Sequence, residues 1–199
     1  MTNDTLFRLI TFAMFVTVLS IGTYYRRKAA RASNEKISRR KEGMPILILL
    51  RLGGLGLWLS PIAYVINPGW MSWSALPLPI ELRELGAVMS ALAIPMIIWV
   101  FRSLGHNVTD TVVTREKHTL VTHGPYRWIR HPLYSFAALF FVGIGLVAAN
   151  WFILLAISLG FILLAVRTPI EEAELIGRFG DDYRAYMQRT GRFLPHVSR

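Results

Sequence analysis

The sequence lacks cysteine, and its acidic residues are few. No cysteine occurs among the 199 residues, so disulfides, thiolate metal sites and cysteine nucleophiles are excluded. Asp and Glu number 12 against 22 Lys and Arg, which gives a net charge of +10. Charged residues make up 17% of the chain, whereas typical soluble domains have about 25%. This composition argues against an ordinary soluble domain.

Charge is absent altogether from residues 132–166, which contain no Asp, Glu, Lys or Arg. A single helix of this length would extend over about 52 Å, far beyond a hydrocarbon core of about 30 Å. We therefore predict a helical hairpin that turns near Asn150. Three earlier apolar segments, at about 6–25, 45–66 and 82–101, bring the predicted number of transmembrane helices to five. The first segment has no basic stretch before it and is predicted to be a retained helix rather than a secretory signal.

Basic residues are concentrated in three of the segments outside these helices. Segment 26–42 contains eight Lys and Arg, segment 102–131 contains five, the tail from Arg167 contains six, and segment 67–79 contains none. The positive-inside rule therefore predicts that the three basic segments face the cytoplasm and that the N-terminus lies outside. Basic clusters beside membrane helices contact anionic lipid headgroups, so membrane lipid is an expected partner and nucleic acid is not.

The predicted hairpin has a spatial consequence for the polar residues that flank it. The two ends of a helical hairpin lie side by side, so the segment around His131 should lie near the segment around Glu171. The residues expected to come together are Arg130, His131, Tyr134, Arg167, Glu171 and Glu172.

The tail after the hairpin allows both a structural and a functional interpretation. Thr168 as N-cap, Pro169 in the first turn and Glu171 three residues after Thr168 together predict a capping box that begins a new helix. Arg167 could extend its charged end out of the membrane edge. An arginine with two carboxylates one turn away could equally hold a zwitterion or an anion.

Histidines and aromatic residues precede the hairpin. His118, His123 and His131 fall within fourteen residues, but they lack the spacing of a metal motif, so no metal site is predicted. His131 precedes a proline and is expected to form an extended bend before the fourth helix. Tyr126 and Tyr134 could contact an adenine ring or a sulfonium cation, or belong to an interfacial aromatic belt.

Taken together, these motifs form a recognisable series: Gly-x-Tyr, Arg-His-Pro-x-Tyr, an uncharged hairpin, Arg-x-x-x-Glu-Glu, Phe-Gly-x-x-Tyr-x-x-Tyr, and a final Thr-Gly-x-x-x-Pro at 190–195. The series resembles the isoprenylcysteine carboxyl methyltransferase family, within a wider group that includes phospholipid N-methyltransferases. The resemblance covers roughly residues 100–195. Its residues are His118 to Val121, Gly124, Tyr126, Arg130 to Tyr134, Arg167, Glu171, Glu172, Phe179, Gly180, Tyr183 and Tyr186.

The resemblance implies S-adenosylmethionine as methyl donor, bound on the cytosolic side without a Rossmann domain. By this resemblance the catalytic residues would be Arg167, Glu171 and His131. The cofactor-binding residues would be His118, Thr119, Leu120, Val121, Tyr126, His131, Pro132, Leu133, Tyr134, Glu171 and Glu172. One departure is that Pro169 and Ile170 stand where the family often has acidic residues.

The expected fold is therefore all-α and integral to the membrane, as one domain over 1–199. Residues 1–101 would supply three helices, and 102–199 the cofactor-binding half with its loop and a cytosolic C-terminal helix. The acceptor would be a lipophilic small molecule or lipidated substrate, carrying a carboxylate or an amine. Gly53, Gly54, Gly56 and Gly86 would serve helix packing or a lateral opening for it. The alternatives are an NADPH-dependent sterol-type reductase and a non-enzymatic membrane protein.

Overall fold

The computed structural model describes residues 3–32, 44–105 and 119–196, and this part of the chain is almost entirely helical. Six α-helices and two 3₁₀ segments follow one another. The α-helices are α1 (Asn3–Ala32), α2 (Met44–Ile66), α3 (Ile80–Leu104), α4 (Pro132–Val147), α5 (Trp151–Phe179) and α6 (Asp181–Arg189). The 3₁₀ segments are Pro68–Ser74 and Gly124–Arg127.

Several of these helices have the length and composition of membrane spans. Within the described residues, three qualify fully: Asp4–Arg31, Ile80–Leu104 and Trp151–Phe179. Two shorter apolar helical stretches accompany them: Gly53–Ile66, which is part of α2, and Pro132–Val147, which is α4. The predicted all-α, multi-pass membrane protein is confirmed, whereas the number of five spans and the sidedness stay predictions.

The predicted hairpin is formed by α4 and α5, and Asn150 is its turning point. The Asn150 side chain accepts a hydrogen bond from the backbone N–H of Ile153 at 3.1 Å and so caps α5. Its Nδ2 donates to the Met71 carbonyl at 3.2 Å and to Ser74 Oγ at 2.8 Å. The turn is thereby attached to the first 3₁₀ segment, which fixes the hairpin at the end of the bundle away from His131.

At this far end, two arginines bind the C-terminal carbonyls of apolar helices. Arg83 of α3 donates to the Val147 carbonyl at 3.0 Å and forms an ion pair with Asp4 at 2.7 Å. Arg8 of α1 donates to the last two carbonyls of α2, those of Val65 and Ile66. Unsatisfied helix-end carbonyls carry partial negative charge, so a cation stabilises them. These contacts bring the starts of α1 and α3 together with the ends of α2 and α4, so these four helices alternate in direction.

Helices α3 and α4 approach each other closely. A Cβ on Gly86 would come within 2.6 Å of the Gly143 carbonyl oxygen and 2.7 Å of Leu146 Cβ. Ser90 donates to the Phe140 carbonyl at 2.9 Å in the same contact. The close approach explains Gly86 as a packing glycine, and it fixes α3 against the C-terminal half of α4.

Two sequence predictions about helix boundaries are wrong. No new helix starts at Thr168, because α5 runs unbroken from Trp151 to Phe179. Thr168 Oγ1 donates back to the Leu164 carbonyl at 2.8 Å, so it does not cap a helix. Side chains of this kind help apolar helices to tolerate an internal proline such as Pro169. At the other end of the chain, α1 extends to Ala32, so Arg26 to Arg31 lie on its last turns rather than in a loop.

Candidate functional site

The candidate site begins where the C-terminal tail pairs with the segment before α4. The backbone N–H of Arg130 donates to the Gly191 carbonyl at 2.8 Å, and the backbone N–H of His131 donates to the Arg192 carbonyl at 3.0 Å. In return, the backbone N–H of Gly191 donates to the Trp128 carbonyl at 3.0 Å. These bonds hold both segments beside the C-terminal half of α5, which carries Arg167, Glu171 and Glu172.

A buried carboxylate, Glu172, is the centre of an ion network in this site. Arg130 Nε donates to its Oε1 at 2.8 Å, and Arg192 Nη2 donates to its Oε2 at 2.7 Å. His131 Nε2 lies 3.4 Å from Oε1. The Arg130 guanidinium also donates to the carbonyls of Met187 and Thr190. One carboxylate therefore joins α5, the segment before α4 and the tail, and both of its oxygens are engaged.

The neighbouring carboxylate, Glu171, has a different environment. Its Oε2 accepts a hydrogen bond of 2.9 Å from the Tyr134 hydroxyl. The ring of Tyr134 is stacked on the ring of His131, with centroids 5.5 Å apart and planes 7° apart. Glu171 is only partly buried. It therefore presents a carboxylate beside two stacked aromatic rings at the edge of the protein.

Tyr126 lies in the second 3₁₀ segment and is fixed by α6. The Tyr186 hydroxyl donates to the Tyr126 carbonyl at 2.6 Å. Desolvation raises the pKa of Tyr126 well above its ordinary value, and the nearby Tyr186, Glu171 and Tyr134 raise that pKa further. Burial likewise raises the pKa of Tyr186 to about 12. These phenols therefore stay neutral at physiological pH. Tyr126 lies near Glu171 and Tyr134, and together with His131 and Glu172 these residues are called the polar cluster.

The turn before Tyr126 is pressed against α3 at Gly124. Gly124 has φ +61°, in the left-handed region, and a Cβ there would overlap the Ser103 side chain. Trp99 of α3 contacts Trp128 in an edge-to-face arrangement with centroids 6.0 Å apart. Only glycine permits both the dihedral angle and the contact, so the tight packing positions Tyr126 relative to α4.

An apolar cavity of about 270 Å³ adjoins this polar cluster. Tyr134 lines one end of it together with Arg26 of α1, and the remaining lining residues are apolar. Those residues are Gly54, Leu57, Trp58, Ala137, Ala138, Phe141, Ile157, Gly160, Phe161, Leu163 and Leu164. Tyr134 thus binds Glu171 through its hydroxyl and also lines the apolar cavity.

The structure brings together the residues that the hairpin argument predicted. Arg130, His131 and Tyr134 contact Glu171 or Glu172, and Arg167 is buried one helical turn before Glu171. His131 is buried and has non-helical dihedral angles (φ −121°, ψ 58°), as its position before Pro132 predicted. Thr119 to Val121 lie at the start of the described loop, whereas His118 lies outside the described residues.

Sequence reasoning did not find every residue of this site. Arg192 and Phe193 were missed, although the first binds Glu172 and the second has its ring 6.0 Å from that of His131. The Thr-Gly-x-x-x-Pro pattern at 190–195 pointed to the tail without indicating a partner. The backbone pairing of Gly191 with Ile129 and the contact of Arg192 with Glu172 show that the tail is part of the site.

Comparisons with known proteins give consistent matches. The family model described as phospholipid methyltransferase matches residues 82–182, about half of the chain. The protein-S-isoprenylcysteine O-methyltransferase of Tribolium castaneum is 35% identical over 81 residues, which are 40% of this chain and 29% of that protein. Protein-S-isoprenylcysteine O-methyltransferase B of Arabidopsis thaliana is 28% identical over 98% of each chain.

A solved structure has the same fold. The eukaryotic intramembrane Ras methyltransferase ICMT (isoprenylcysteine carboxyl methyltransferase) matches with a TM-score of 0.56 and 21% identity, over 94% of this chain and 68% of the other. The first curated relatives are matched over less than two thirds of their own length. The resemblance inferred from the sequence motifs is confirmed by these matches.

Proposed function

The chain belongs to the phospholipid methyltransferase family, and on that basis we propose that it is an integral membrane methyltransferase that uses S-adenosylmethionine. Its acceptor is lipophilic and carries either a carboxylate or a lipid amine. The observation that carries this proposal is the position of Tyr134, which binds Glu171 and also lines the apolar cavity. The charged methyl donor and the apolar methyl acceptor can meet only where a residue of the polar cluster also lines the apolar cavity.

The charged and aromatic groups of the polar cluster fit S-adenosylmethionine. The cofactor supplies a methyl group on a positively charged sulfur. Glu171 has one oxygen bound by the Tyr134 hydroxyl, and its carboxylate can accept a charge-assisted hydrogen bond from an α-amino group. The stacked rings of His131 and Tyr134 and the neutral phenol of Tyr126 form aromatic surfaces of the kind that bind adenine or a cation. The loop from Thr119 to Val121 would add backbone contacts.

Within this proposal Glu172 is a positioning residue rather than a cofactor ligand. Both of its carboxylate oxygens are engaged by Arg130, Arg192 and His131. The network fixes the tail, the His131 segment and α5 in one arrangement. The adjacent Glu171 then faces Tyr134 with a defined geometry.

The acceptor half of the site follows from the cavity. An apolar tail would lie between α2, α4 and α5, and the polar head would reach Tyr134. The guanidinium of Arg167 donates hydrogen bonds and accepts none, so it can orient a carboxylate but cannot act as a base. A carboxylate acceptor already carries its negative charge and requires only alignment and exclusion of water. An amine acceptor would need a base, for which His131 and Glu172, 3.4 Å apart, are the candidates.

The proposed orientation places this site on the cytoplasmic side and the N-terminus outside. Among the described residues, the basic residues on the last turns of α1 (Arg26 to Arg31), Arg102 at the end of α3, and Arg127 and Arg130 before α4 occur at the site end of the bundle. The opposite end has the Trp70 and Trp73 segment without any Lys or Arg. Both tryptophans are exposed, which suits a membrane interface.

Calorimetric titration of the purified protein with S-adenosylmethionine tests the cofactor. Glu171→Gln removes the charge that accepts from the amino group, and we expect the affinity to fall by about 10- to 100-fold. Glu84→Gln, at an exposed carboxylate on the far end, is the matched control and should bind as the parent does. Equal affinity of the parent and Glu171→Gln would refute the site, and selective binding of NADPH would favour a reductase.

The acceptor is identified by transfer of a labelled methyl group. Membrane extract is incubated with the protein and methyl-tritiated S-adenosylmethionine, and the lipid-phase product is isolated. A product that releases its label in mild base is a methyl ester, whereas an N-methyl product keeps it. Absence of any lipid-phase label above that of Glu171→Gln would contradict a lipophilic acceptor.

A further inference from the structure

Two glycines on the wall of the apolar cavity are not explained by helix packing. Gly54 on α2 and Gly160 on α5 both line the cavity. No atom lies within 4 Å of the place where a Cβ would stand on either residue. Each position therefore leaves open space on the cavity side of its helix.

The neighbouring glycines of α2, unlike Gly54, take part in helix packing. A Cβ on Gly53 would come within 2.9 Å of Leu163 Cδ1, and one on Gly56 would lie 4.0 Å from Ala156 Cβ. Gly53 and Gly56 therefore form the contact between α2 and α5. Gly54 stands between them in the sequence but is turned away from that contact and towards the cavity.

Aromatic rings close the cavity at the end opposite Tyr134. Trp58 and Phe141 line the cavity, with ring centroids 5.6 Å apart and an edge-to-face geometry. Phe15 packs against both rings, at 5.1 Å and 6.5 Å. This three-ring cluster forms a floor that a ligand cannot pass without displacing a ring.

The cavity is small for a ligand site. Its volume of about 270 Å³ lies near the lower limit of ligand pockets, about 300 Å³. One added leucine side chain would therefore occupy a large share of the space. At positions without a nearby atom, such a side chain would fill the cavity without disturbing helix packing.

We propose that Gly54 and Gly160 are the specificity-determining positions of the cavity, because the absence of a side chain at these two positions, on helices that pack against each other, leaves room for one apolar tail. The depth available to that tail is limited by the ring cluster of Phe15, Trp58 and Phe141. That the tail belongs to the methyl acceptor rests on the proposed function. The presence of a site for an apolar tail rests on the geometry alone.

Quenching of Trp58 fluorescence by terminally brominated alkanoic acids tests the proposal in lipid nanodiscs. Trp58 lines the cavity, so a bound tail brings the bromine near its ring. The same titration on Trp58→Phe gives the background from the other tryptophans. We expect Gly160→Leu and Gly54→Leu to bind the probe at least 10-fold more weakly, and Gly160→Ala to show a smaller loss. Gly22→Leu, at an open glycine of α1 that does not line the cavity, is the matched control.

The outcomes separate this proposal from the cofactor assignment. All variants should bind S-adenosylmethionine with unchanged affinity in calorimetry, which also shows that they are folded. Unchanged probe binding by both leucine variants, or an equal loss in Gly22→Leu, would overturn the proposal. A protein that binds the probe in this glycine-dependent manner but does not bind S-adenosylmethionine would uphold the cavity and refute the methyltransferase assignment.

Discussion

The hydroxyl of Tyr134 on α4 donates a 2.9 Å hydrogen bond to Glu171 on α5, although 37 residues separate the two in sequence. The hairpin that joins α4 to α5 makes this contact possible, since its turn at Asn150 lies at the far end of the bundle. The bond determines where the Glu171 carboxylate points. It also ties the polar cluster to the wall of the apolar cavity.

Tyr134→Phe is expected to weaken binding of S-adenosylmethionine while leaving the fold intact. The substitution keeps the ring that stacks on His131 and removes only the hydroxyl that orients Glu171. A hydrogen bond to a charged group contributes about 1.5–3 kcal/mol, so we expect the affinity to fall by about 10-fold or more. Calorimetric titration measures the change.

Tyr64→Phe serves as the control for this substitution. Its hydroxyl accepts a hydrogen bond from Arg83 at the far end, so the loss is chemically similar but remote from the site. Cofactor affinity should be unchanged in that variant. If Tyr134→Phe bound as tightly as Tyr64→Phe, the role of the Tyr134 hydroxyl in positioning Glu171 would be excluded.

Glu172→Gln is expected to destabilise the whole protein. Arg130 would lose the counter-charge that it contacts at 2.8 Å in an environment where both side chains are buried. Removal of one partner from a buried ion pair costs about 3–5 kcal/mol. For a protein of this size, each kcal/mol lowers the melting temperature by about 2–4 °C. A thermal melt in detergent should therefore show a loss of roughly 6–20 °C.

The exposed pair of Asp181 and Arg184 provides the comparison. Both side chains are largely exposed, and exposed pairs contribute about 0–1 kcal/mol. Asp181→Asn should therefore melt within a few degrees of the parent. A Glu172→Gln variant as stable as Asp181→Asn would mean that the network at Glu172 does not hold the tail in place.

The general arrangement of the helices could be predicted from the sequence because hydropathy and loop charge are local signals. The uncharged stretch 132–166 was too long for one span, so a turn near Asn150 followed from length alone. The proximity of His131 and Glu171 then followed from the hairpin. The resemblance in the motifs identified the same residues independently.

The helix boundary at Thr168 and the separate roles of Glu171 and Glu172 depend on tertiary contacts, which the local sequence pattern does not contain. Thr168 and Pro169 had the pattern of a helix start, but inside α5 the threonine hydroxyl bonds backwards to Leu164. The roles of Glu171 and Glu172 could not be separated, because adjacent carboxylates have the same local pattern. Their partners, Tyr134 for one and Arg192 for the other, come from distant segments.

The raised pKa of Tyr186 predicts that the protein becomes less stable in alkaline solution. Burial raises its pKa to about 12, with Arg130 and Arg189 opposing the shift, whereas an unfolded tyrosine titrates near 10. A raised pKa of a phenol gives stabilisation that is complete below pH 10 and is lost as the pH rises through 12. We expect a constant melting temperature from pH 7 to 9 and a fall above pH 10.

Tyr186→Phe should separate this effect from other alkaline titrations. The variant loses the hydrogen bond to the Tyr126 carbonyl, which lowers stability at pH 8 by about 0.5–1.5 kcal/mol. Its stability should then fall less steeply between pH 10 and 12 than that of the parent. Parallel curves for the two proteins would show that Tyr186 does not ionise with a raised pKa.

Gly86 and Gly22 should respond in opposite directions to the same substitution. A methyl group on Gly86 would meet the Gly143 carbonyl oxygen at 2.6 Å, so α3 and α4 would have to separate. Such overpacking costs about 1–3 kcal/mol, which exceeds the gain of up to about 1 kcal/mol in helix propensity. Gly22 has no atom within 4 Å of its Cβ position, so Gly22→Ala should keep that gain and melt at or above the parent temperature. Equal melting temperatures for the two variants in the same detergent would contradict the close contact between α3 and α4.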